Sequence, residues 1–314
     1  MYHIIVNPAS KSGKGNKIWD KVELALKNAK ADYRVHFTKA EGDALLFAKE
    51  LTTDIDDYVN LIVLGGDGTM NEIVNGIVDF DKTRVGYIPT GSSNDFARDV
   101  KLIKEPKAAI ELILEGKHMK NMDIGQATYE KVSPEATETV SKKFVVSSGI
   151  GFDAAVCEEV HHSKLKKVFN KIRLGKLVYV GVAVRNLLGG DTSPCKIYID
   201  DKEPVILPKF LFIANMVHKY EGGGFKFCPD ADYTDDALDV CAVGALTRRR
   251  CFRILPTAYS GKHVKFKGID MYKAKKVRVE TDTPLYLHTD GEVCGKTARV
   301  EFISLPSKLH LFCK

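Results

Sequence analysis

A short apolar run that ends in a glycine-rich acidic loop is the feature that most constrains this chain. Residues 61 to 64 are all apolar, and the loop Gly65-Gly66-Asp67-Gly68-Thr69 follows directly. Four apolar residues without alternation are too few for a helix and are typical of a strand buried on both faces of a parallel sheet. Glycines can take φ > 0 and leave the backbone accessible, so the amides of the loop can approach anionic oxygens. The stretch predicts a strand followed by a phosphate-binding loop.

The residues after this loop predict a helix. Thr69 and Glu72 have the spacing of a capping box, and apolar residues continue at helical spacing as far as Val78. The loop would then lie at a helix N-terminus, whose free N–H groups and partial positive charge favour phosphate. The alternative is a tight strand-to-helix turn in which Asp67 is an ordinary solvated residue.

Over the first 125 residues, short apolar runs alternate with helical patterns. The predicted strands cover residues 3–6, 33–37, 61–64 and 85–88. This alternation predicts a doubly wound parallel sheet, in which ligands bind at the carboxyl ends of the strands. We therefore expect an α/β nucleotide-binding domain over residues 1–125. Its first polar loop is not a Walker A motif, because Pro8 and Gly15 replace the first glycine and the magnesium-binding hydroxyl residue. That loop is either a flexible basic turn or a nucleotide contact made by Asn7 and Ser10.

From residue 126 the pattern changes to many short strand-like runs separated by turn residues. It predicts a second, β-rich and sandwich-like domain over residues 126–296, followed by a strand in 297–314 that returns to the first domain. One helical insert is expected from Ala154 to about Asn186. The polar segment Tyr129 to Ser141 is expected to be a hairpin tip or a mobile loop.

The composition bounds the class of protein. A chain of 314 residues with 44% hydrophobic and 28% charged residues suits two globular domains. Seven cysteines without a Cys-x-x-Cys pair, and no secretory signal, predict reduced thiols in a cytoplasmic protein. The net charge of +6 favours acidic partners, but without a reader motif it does not indicate nucleic acid. No apolar stretch reaches the 18 residues of a membrane span, so we expect a soluble protein.

A second polar loop, Pro89-Thr90-Gly91-Ser92-Ser93-Asn94-Asp95-Phe96-Ala97-Arg98, closely resembles the loop of the diacylglycerol kinase catalytic family, which includes soluble bacterial lipid kinases. NAD kinases share a Gly-Ser/Thr turn there but lack the Asn-Asp-Phe-Ala-Arg continuation. Further short matches to the family follow in order along the chain. They are Asn7-Pro8, Thr38, Gly65 to Thr69, Asp123 to Gly125, Gly149 to Ala154, Gly222 to Gly224, Pro229 to Ala231 and Asp290 to Glu292.

The resemblance implies a lipid kinase that uses ATP as phosphoryl donor and Mg²⁺ as cofactor. Phosphoryl transfer requires mainly that ATP is positioned, that its developing charge is neutralised and that the attacking hydroxyl is oriented. The residues expected to bind ATP are Asn7, Ser10, Thr38, Gly65, Gly66, Asp67, Gly68, Thr69, Glu72, Ser92 and Asn94. Asp67, Asp95 and Asp123 are expected on one edge of the sheet, where they could hold Mg²⁺ directly or through water.

Glu292 matches the general base of the family, which would accept the proton of the lipid hydroxyl. Asp290 would support it or contact the metal, and Asp67 is the third residue expected to act in catalysis. The alternative for Asp290-Gly291-Glu292 is a simple hairpin turn, because Asp-Gly between strands is a common turn signal. Asp235 matches a structural Mg²⁺ ligand of the family, but Asp236 stands where a glycine is expected. Because Asp tolerates φ > 0 less readily than Gly, this second metal site is left open.

Two basic stretches are candidates for contact with an anionic membrane surface. Residues 161 to 173 place Leu165, Val168, Phe169 and Ile172 at helical spacing among lysines, and Arg248-Arg249-Arg250 with Arg253 form the second stretch. Either can also be a solvated surface of its own domain. The expected function is phosphorylation of a lipid hydroxyl, most simply diacylglycerol to phosphatidic acid, by a cytoplasmic, peripherally membrane-associated enzyme.

Three alternatives stay open at this point. The chain could act as an NAD kinase, or as a regulator that binds nucleotide or lipid without turnover, a reading suggested by Asp236. A sphingoid base, phosphatidylglycerol or an isoprenoid alcohol could replace diacylglycerol as acceptor. The sequence also leaves a homodimer open.

Overall fold

A computed structural model describes residues 1–13, 15–91, 94–132, 136–162, 193–244 and 246–314. The chain divides into two compact units. The first comprises Met1–Ile124 with Pro306–Lys314, and the second comprises Gly125–Leu305. The boundary that we expected at residue 296 therefore moves to residue 305, because residues 292–304 form one continuous strand of the second unit.

The first unit is built on a mostly parallel sheet. Its strands, numbered in chain order, are β1 (Tyr2–Val6), β2 (Tyr33–Phe37), β3 (Val59–Gly65), β4 (Thr83–Pro89), β5 (Met119–Met122) and β15 (Leu309–Phe312). Their order is β2-β1-β3-β4-β15-β5, and only β5 runs antiparallel to its neighbour. Leu61 to Leu64 are fully buried, which confirms the strand predicted from the apolar run.

Helices cover this sheet. They are α1 (Ser10–Gly13), α2 (Gly15–Asn28), α3 (Asp43–Thr52), α4 (Asp67–Gly76), α5 (Asp95–Asp99) and α6 (Pro106–Glu115). Trp19, Val22 and Leu26 of α2 form one apolar core with Ile110 and Ile113 of α6 and the buried side chains of β1 and β3. The α/β class predicted for the first unit is confirmed.

The second unit consists mainly of antiparallel strands. They are β6 (Gly125–Val132), β7 (Thr137–Phe144), β8 (Ser147–Gly151), β9 (Ser193–Ile199), β10 (Val205–Met216), β11 (Leu238–Gly244), β12 (Ile269–Ala274), β13 (Lys276–Thr289) and β14 (Glu292–Ser304). Among the described residues of this unit, two helices, α7 (Phe152–His162) and α8 (Arg248–Ile254), and two 3₁₀ turns, Leu255–Ser260 and Lys262–Lys265, accompany them. The long strands β10 and β13 each pair with β9 along one half and with β8 along the other, so the sheet folds over a shared core. The predicted β-rich class is confirmed.

For the second unit, one expectation needs correction and another lies partly outside the described residues. The polar segment Tyr129 to Ser141 is mostly strand, because β6 and β7 pair over their whole length and expose one face of the ribbon to solvent. The helical insert is described as α7 as far as His162, and the amphipathic stretch beyond it lies outside the described residues. None of the helices in the described ranges combines the length and the apolar character needed to cross a bilayer.

Candidate active site

The carboxyl ends of three neighbouring strands bring the predicted nucleotide loops together. The parallel register pairs Val6 with Leu64 and Leu64 with Ile88, so β1, β3 and β4 end at the same edge. Two backbone hydrogen bonds continue this ladder into the loops, from Asn7 N–H to Leu64 O at 2.9 Å and from Thr90 N–H to Gly65 O at 2.7 Å. The loops that begin at residues 7, 65 and 90 are therefore held side by side.

Side chains then connect these loops. Asn7 donates from Nδ2 to Thr69 Oγ1 at 3.0 Å, and Thr90 donates from Oγ1 to Ser10 Oγ at 2.8 Å. Thr38, at the end of β2, joins the same edge through its N–H, which donates to Val6 O at 2.9 Å. Thr90 also belongs to this set, although the sequence motif that contains it did not identify it as a nucleotide-binding residue. Ser92 lies outside the described residues.

The glycines of the loop are required for space. Gly66 has φ −97° and lies against Gly91, where an added Cβ on Gly91 would be 2.8 Å from Gly66 Cα. A Cβ on Gly65 would be 2.5 Å from Thr69 Cβ. None of the three glycines in this loop has a positive φ, so the expected left-handed backbone is not used here. Close contact between the two loops, rather than an unusual φ, fixes these residue types.

Helix α4 begins at Asp67, as a phosphate-binding loop requires, but the predicted capping box is wrong. The N-cap residue is Gly66, which has no side chain with which to cap the helix. The helix starts two residues before Thr69, so Thr69 lies in its first turn and accepts from Asn7. Glu72 is turned toward α3, where its Oε2 accepts from Ala44 N–H at 3.2 Å. That contact ties the Glu72 carboxylate to the start of α3.

Two of the three acidic residues expected to bind Mg²⁺ in this unit, Asp67 and Asp95, lie side by side. Asp67 Oδ2 accepts from Asp95 N–H at 3.2 Å, and its negative charge adds to burial in raising the pKa of Tyr87 well above its usual range. The Asp95 carboxylate is buried and forms an ion pair with Arg98 at 2.5 Å. Next to it, Asn94 has φ 50° and a buried Oδ1 without a hydrogen-bond partner among the described residues.

Asp123 lies at the other end of the sheet. It follows β5, whose Met122 pairs with Leu309, and His310 pairs with Arg84 near the start of β4. The length of β4, seven residues at about 3.3 Å each, therefore separates Asp123 from the loops at the carboxyl ends. Asp123 is buried and forms an ion pair with Lys308. The prediction that it shares an edge with Asp67 and Asp95 is wrong.

In the second unit, Asp290 and Gly291 form the turn between β13 and β14. Their φ values, 49° and 84°, are those of a two-residue hairpin turn. The Asp290 carboxylate accepts from the N–H groups of Val145, Val146 and Ser147 at 2.8 to 3.0 Å. With three backbone donors on it, this carboxylate anchors the turn, and we assign it no contact with a metal. Glu292 follows as the first residue of β14, half-buried and paired with Thr289.

A buried cluster beside this turn was not found from the sequence. His288 Nε2 lies 3.2 Å from Asp153 Oδ2 and 3.2 Å from Glu221 Oε1, and all three residues are buried. Burial opposes a charged ring, but the Glu221 and Asp153 carboxylates outweigh it and raise the pKa of His288 well above its usual value. Each of the three residues lies in or within two residues of a family motif, which is the signal that could have identified them.

The same cluster has the ligand types of a metal site, but its hydrogen bonds favour a proton. Gly291 N–H donates to His288 Nδ1 at 3.2 Å, so the neutral ring carries its proton on Nε2, between the two carboxylates. A charged ring has N–H groups at both nitrogens. In neither state does Nε2 offer a lone pair to a metal ion, although the three ligand atoms lie within 4.8 Å of one another. The nearby Cys157 is half-buried, and desolvation of its thiol raises the pKa to about 12.

The carboxylate of Asp235, the expected ligand of a second metal ion, is paired with a lysine. Its carboxylate forms an ion pair with Lys273, whose Nζ also lies 3.7 Å from Asp239 Oδ2. Asp236 takes φ 63°, so it adopts the left-handed conformation for which a glycine was expected. The turn is therefore preserved, but the donor set with Lys273 does not fit a divalent cation.

An apolar cavity that is partly open to solvent lies within the second unit. Its lining comes from α7, β10, β11, α8 and the segments around them. The lining residues are Phe152, Leu211, Phe212, Phe227, Val243, Leu246, Cys251, Ile254, Leu255, Ala258, His263 and Ile269. His263 is buried, which lowers the pKa of its ring, and its Nε2 lies 3.1 Å from Phe227 O. The cavity therefore offers apolar surface to a ligand.

Comparison with known proteins matches both units. Residues 1–127 match the model of the diacylglycerol kinase catalytic domain, and residues 145–313 match that of the YegS C-terminal NAD kinase beta sandwich-like domain. YtlR of Bacillus subtilis (strain 168), a candidate lipid kinase by its name, is 30% identical over 99% of this chain and 98% of its own length. A diacylglycerol kinase of Staphylococcus carnosus (strain TM300) is 28% identical over 98% of this chain and 94% of its own.

A solved structure shows the same fold. The crystal structure of a candidate diacylglycerol kinase from Bacillus anthracis str. Sterne matches with a TM-score of 0.76 at 24% identity, over 100% of this chain and 97% of that one. The resemblance drawn from the loop at residues 89–98 is thus confirmed along both units. The chain belongs to the diacylglycerol kinase catalytic domain family of phosphotransferases.

Proposed function

We propose that this protein transfers the γ-phosphoryl group of ATP to the hydroxyl group of a membrane lipid, with diacylglycerol as the acceptor and phosphatidic acid as the product. The observation that carries the proposal beyond family membership is the apolar cavity of the second unit. Burying a polar group without a hydrogen-bond partner costs free energy. An apolar lining therefore suits a hydrocarbon chain better than the ribose and amide groups of NAD. This observation favours a lipid kinase over an NAD kinase.

Contacts within the second unit connect the cavity to the proposed base. Phe152 lines the cavity, and the next residue, Asp153, contacts His288. The ring of His288 accepts from Gly291 N–H, and Glu292 follows directly. A lipid chain in the cavity would therefore occupy a part of the fold that is tied to the Glu292 turn.

For the nucleotide, we assign phosphate contacts to the first unit. The residues are Asn7, Ser10, Thr38, Gly65, Gly66, Gly68, Thr69, Thr90 and Asn94, which the strand ends and loop contacts bring to one edge. Mg²⁺ in proteins is usually held by one or two carboxylates together with water and phosphate oxygens. Asp67 and Asn94 Oδ1, which has no hydrogen-bond partner in the part of the chain that the structure describes, suit that mixed set. Bound Mg²⁺ would neutralise the charge that develops on the phosphoryl oxygens.

The proposed reaction needs one proton acceptor. Glu292 accepts the proton of the lipid hydroxyl while the hydroxyl oxygen bonds to the γ-phosphorus. The bond from the γ-phosphorus to the β–γ bridging oxygen breaks, which releases ADP. Asp290 acts on this step through position, because its three backbone hydrogen bonds fix the turn that carries Glu292.

We further propose that an anionic membrane surface binds residues 248–268, here called the basic segment. It contains four arginines and three lysines and no acidic residue. Arg249, Arg253 and Lys265 are exposed, and Tyr259 and Phe266 are 44% and 39% exposed between the cations. Exposed aromatic residues among cations suit the interface of a bilayer better than a nucleic-acid backbone. The opposite face of α8, through Cys251 and Ile254, lines the apolar cavity.

A direct assay tests the proposed function. The purified protein is incubated with Mg²⁺, γ-labelled ATP and mixed micelles that contain diacylglycerol, a sphingoid base, phosphatidylglycerol or an isoprenoid alcohol, with NAD as the soluble acceptor. We expect label in the organic extract, highest with diacylglycerol. Label in another lipid would keep the lipid kinase and change its acceptor. Label only in NADP, or no transfer by a protein that binds ATP, would overturn the proposal.

A further inference from the structure

The second unit contains a site for a positive charge, and a lysine side chain of the same unit supplies that charge. Strand β11 begins after a loop at residues 232–237, and the register of β11 with β12 places Asp239 directly opposite Lys273. Lys273 forms an ion pair with Asp235, and its Nζ lies 3.7 Å from Asp239 Oδ2. One ammonium group therefore lies between two carboxylates from adjacent parts of the chain.

These two carboxylates need a positive charge between them. Asp239 is 8% exposed, and burial raises the pKa of its carboxyl group. The second carboxylate, that of Asp235, adds repulsion, which Lys273 offsets. Two like charges close together in a partly buried site are costly unless a cation lies near both. The ion pair with Asp235 in turn raises the pKa of Lys273, so the lysine is charged at neutral pH.

The loop also keeps the shape expected of a metal-binding turn. Asp236 takes φ 63°, and Asp235 Oδ1 accepts from Ala237 N–H at 3.3 Å. A divalent cation bound to Asp235 would lie beside the ammonium of Lys273, and the repulsion between two cations at that distance would disfavour binding. The loop therefore has room for one cation, and a side chain supplies it.

We propose that Lys273 takes the place of the divalent cation expected at Asp235, so that the loop at residues 232–239 is held without a metal ion. A lysine delivers a single charge, but it is joined to the chain and needs no free metal. Asp236 and Lys273 then act together, because Asp236 keeps the conformation of the turn and Lys273 supplies the positive charge. The inference concerns the stability of the second unit and does not depend on which acceptor is phosphorylated.

Thermal unfolding without nucleotide tests this inference. The wild-type protein is expected to unfold at the same temperature in EDTA and in millimolar Mg²⁺ or Ca²⁺. Lys273→Met removes the charge but retains the aliphatic stem, and should lower the midpoint in EDTA by about 2 to 6 °C. Mg²⁺ or Ca²⁺ should restore most of that loss, because the two carboxylates are then free to bind it. Lys273→Arg keeps the charge and should remain insensitive to metal.

Two controls make the result specific. Lys275→Met removes an exposed cation that directly follows β12 and forms no ion pair with either carboxylate, and should show no response to metal. Lys273→Met with Asp235→Asn should lose the metal response, which identifies Asp235 as the ligand. If Lys273→Met does not fold, the wild-type and Lys273→Arg measurements still decide the question.

Two results would overturn the inference. The first is a wild-type midpoint that falls in EDTA and recovers with Mg²⁺, because a metal would then be bound beside Lys273. The second is a folded Lys273→Met protein that metal does not stabilise, because the carboxylates would then not form a cation site. Neither result bears on phosphoryl transfer, which the lipid assay measures separately.

Discussion

Glu292 and Asp290 are neighbours with different tasks. Glu292 has a half-buried side chain at the start of β14, whereas the Asp290 carboxylate is fully engaged with three backbone donors. A group that accepts a proton must have a free lone pair, and a group that anchors a turn must not exchange its partners. The two acidic residues can therefore be separated by substitution.

Glu292→Gln should reduce turnover by about 10²- to 10⁴-fold, because the amide cannot accept the proton of the hydroxyl. ATP affinity should change little, because Glu292 is not among the residues assigned to the nucleotide. Steady-state kinetics with the preferred lipid, together with nucleotide binding at equilibrium, measures both. Turnover near the wild-type value would remove Glu292 from the mechanism.

Asp290→Ala should lower the free energy of unfolding by about 2 to 5 kcal/mol, because three backbone N–H groups lose their acceptor. Asp290→Asn retains an acceptor oxygen and tolerates the positive φ of the turn, so it should cost about 1 kcal/mol or less. Urea unfolding of both variants gives the comparison. Equal losses in the two variants would contradict the anchoring role.

At the level of single elements, the buried cluster joins α7, the turn at Glu221 and β13 through one histidine. In the neutral state the ring accepts from Gly291, and in the charged state it cannot. Protonation therefore exchanges a hydrogen bond to the Glu292 turn for stronger pairing with Asp153 and Glu221. The cluster links the charge of one ring to the position of a neighbouring turn.

The stability contribution of His288 should depend on pH. Since Glu221 and Asp153 raise the pKa of the folded ring well above the unfolded value of 6.5, the contribution is fully present below pH 6.5 and is lost as the pH rises through the folded pKa. The difference in unfolding free energy between wild type and His288→Asn should therefore shrink as the pH rises above about 6.5. Urea unfolding at several pH values measures it. A difference that grows with pH would show that the ring is held neutral.

The elements were predictable to the extent that their signals are local. The run Leu61 to Leu64 identifies β3, because burial on both faces leaves its mark in four adjacent residues. The contact of Asn7 with Thr69 and that of Thr90 with Ser10 join residues 62 and 80 positions apart, and no periodicity encodes such pairs. In these cases the loops could be predicted from the order of motifs shared with a family. The side-chain partners could be identified only from the fold.

The failures have equally specific reasons. The capping box was wrong because α4 starts at Asp67, where the contact between Gly66 and Gly91 fixes the turn. Asp123 was placed at the wrong edge because the position of β5 is set by its pairing with β15, in which Met122 lies opposite Leu309, far along the chain. The buried cluster combines residues 153, 221 and 288, and only burial distinguishes them from other polar residues near glycine motifs.

At the scale of the molecule, charge is unevenly distributed. The net charge of the chain is +6, whereas the basic segment alone carries seven cations and no acidic residue. The remainder of the chain is therefore close to neutral overall, and the basic segment should contribute strongly to long-range attraction to an anionic surface.

Replacing Arg249, Arg253 and Lys265 together with glutamine should weaken binding to vesicles of equal parts phosphatidylglycerol and phosphatidylcholine by about a hundredfold, because each cation near such a surface contributes about 1 kcal/mol. Sedimentation with vesicles, without nucleotide, measures this. The matched control replaces Lys131, Lys196 and Lys202, which are exposed elsewhere in the second unit. Equal losses in both variants, or binding to an oligonucleotide but not to vesicles, would contradict a specific membrane-binding segment.

The last strand of the chain lies between β4 and β5 in the first sheet. Residues 125–305, which form the second unit, are therefore inserted into the first unit in chain order. During synthesis the second unit has all of its described strands before the first sheet has its sixth, because residues 309–312 follow residues 125–305. The nucleotide loops are translated early, but their sheet can be completed only after the second unit has been translated, so the half of the protein that would bind ATP is the later one to mature.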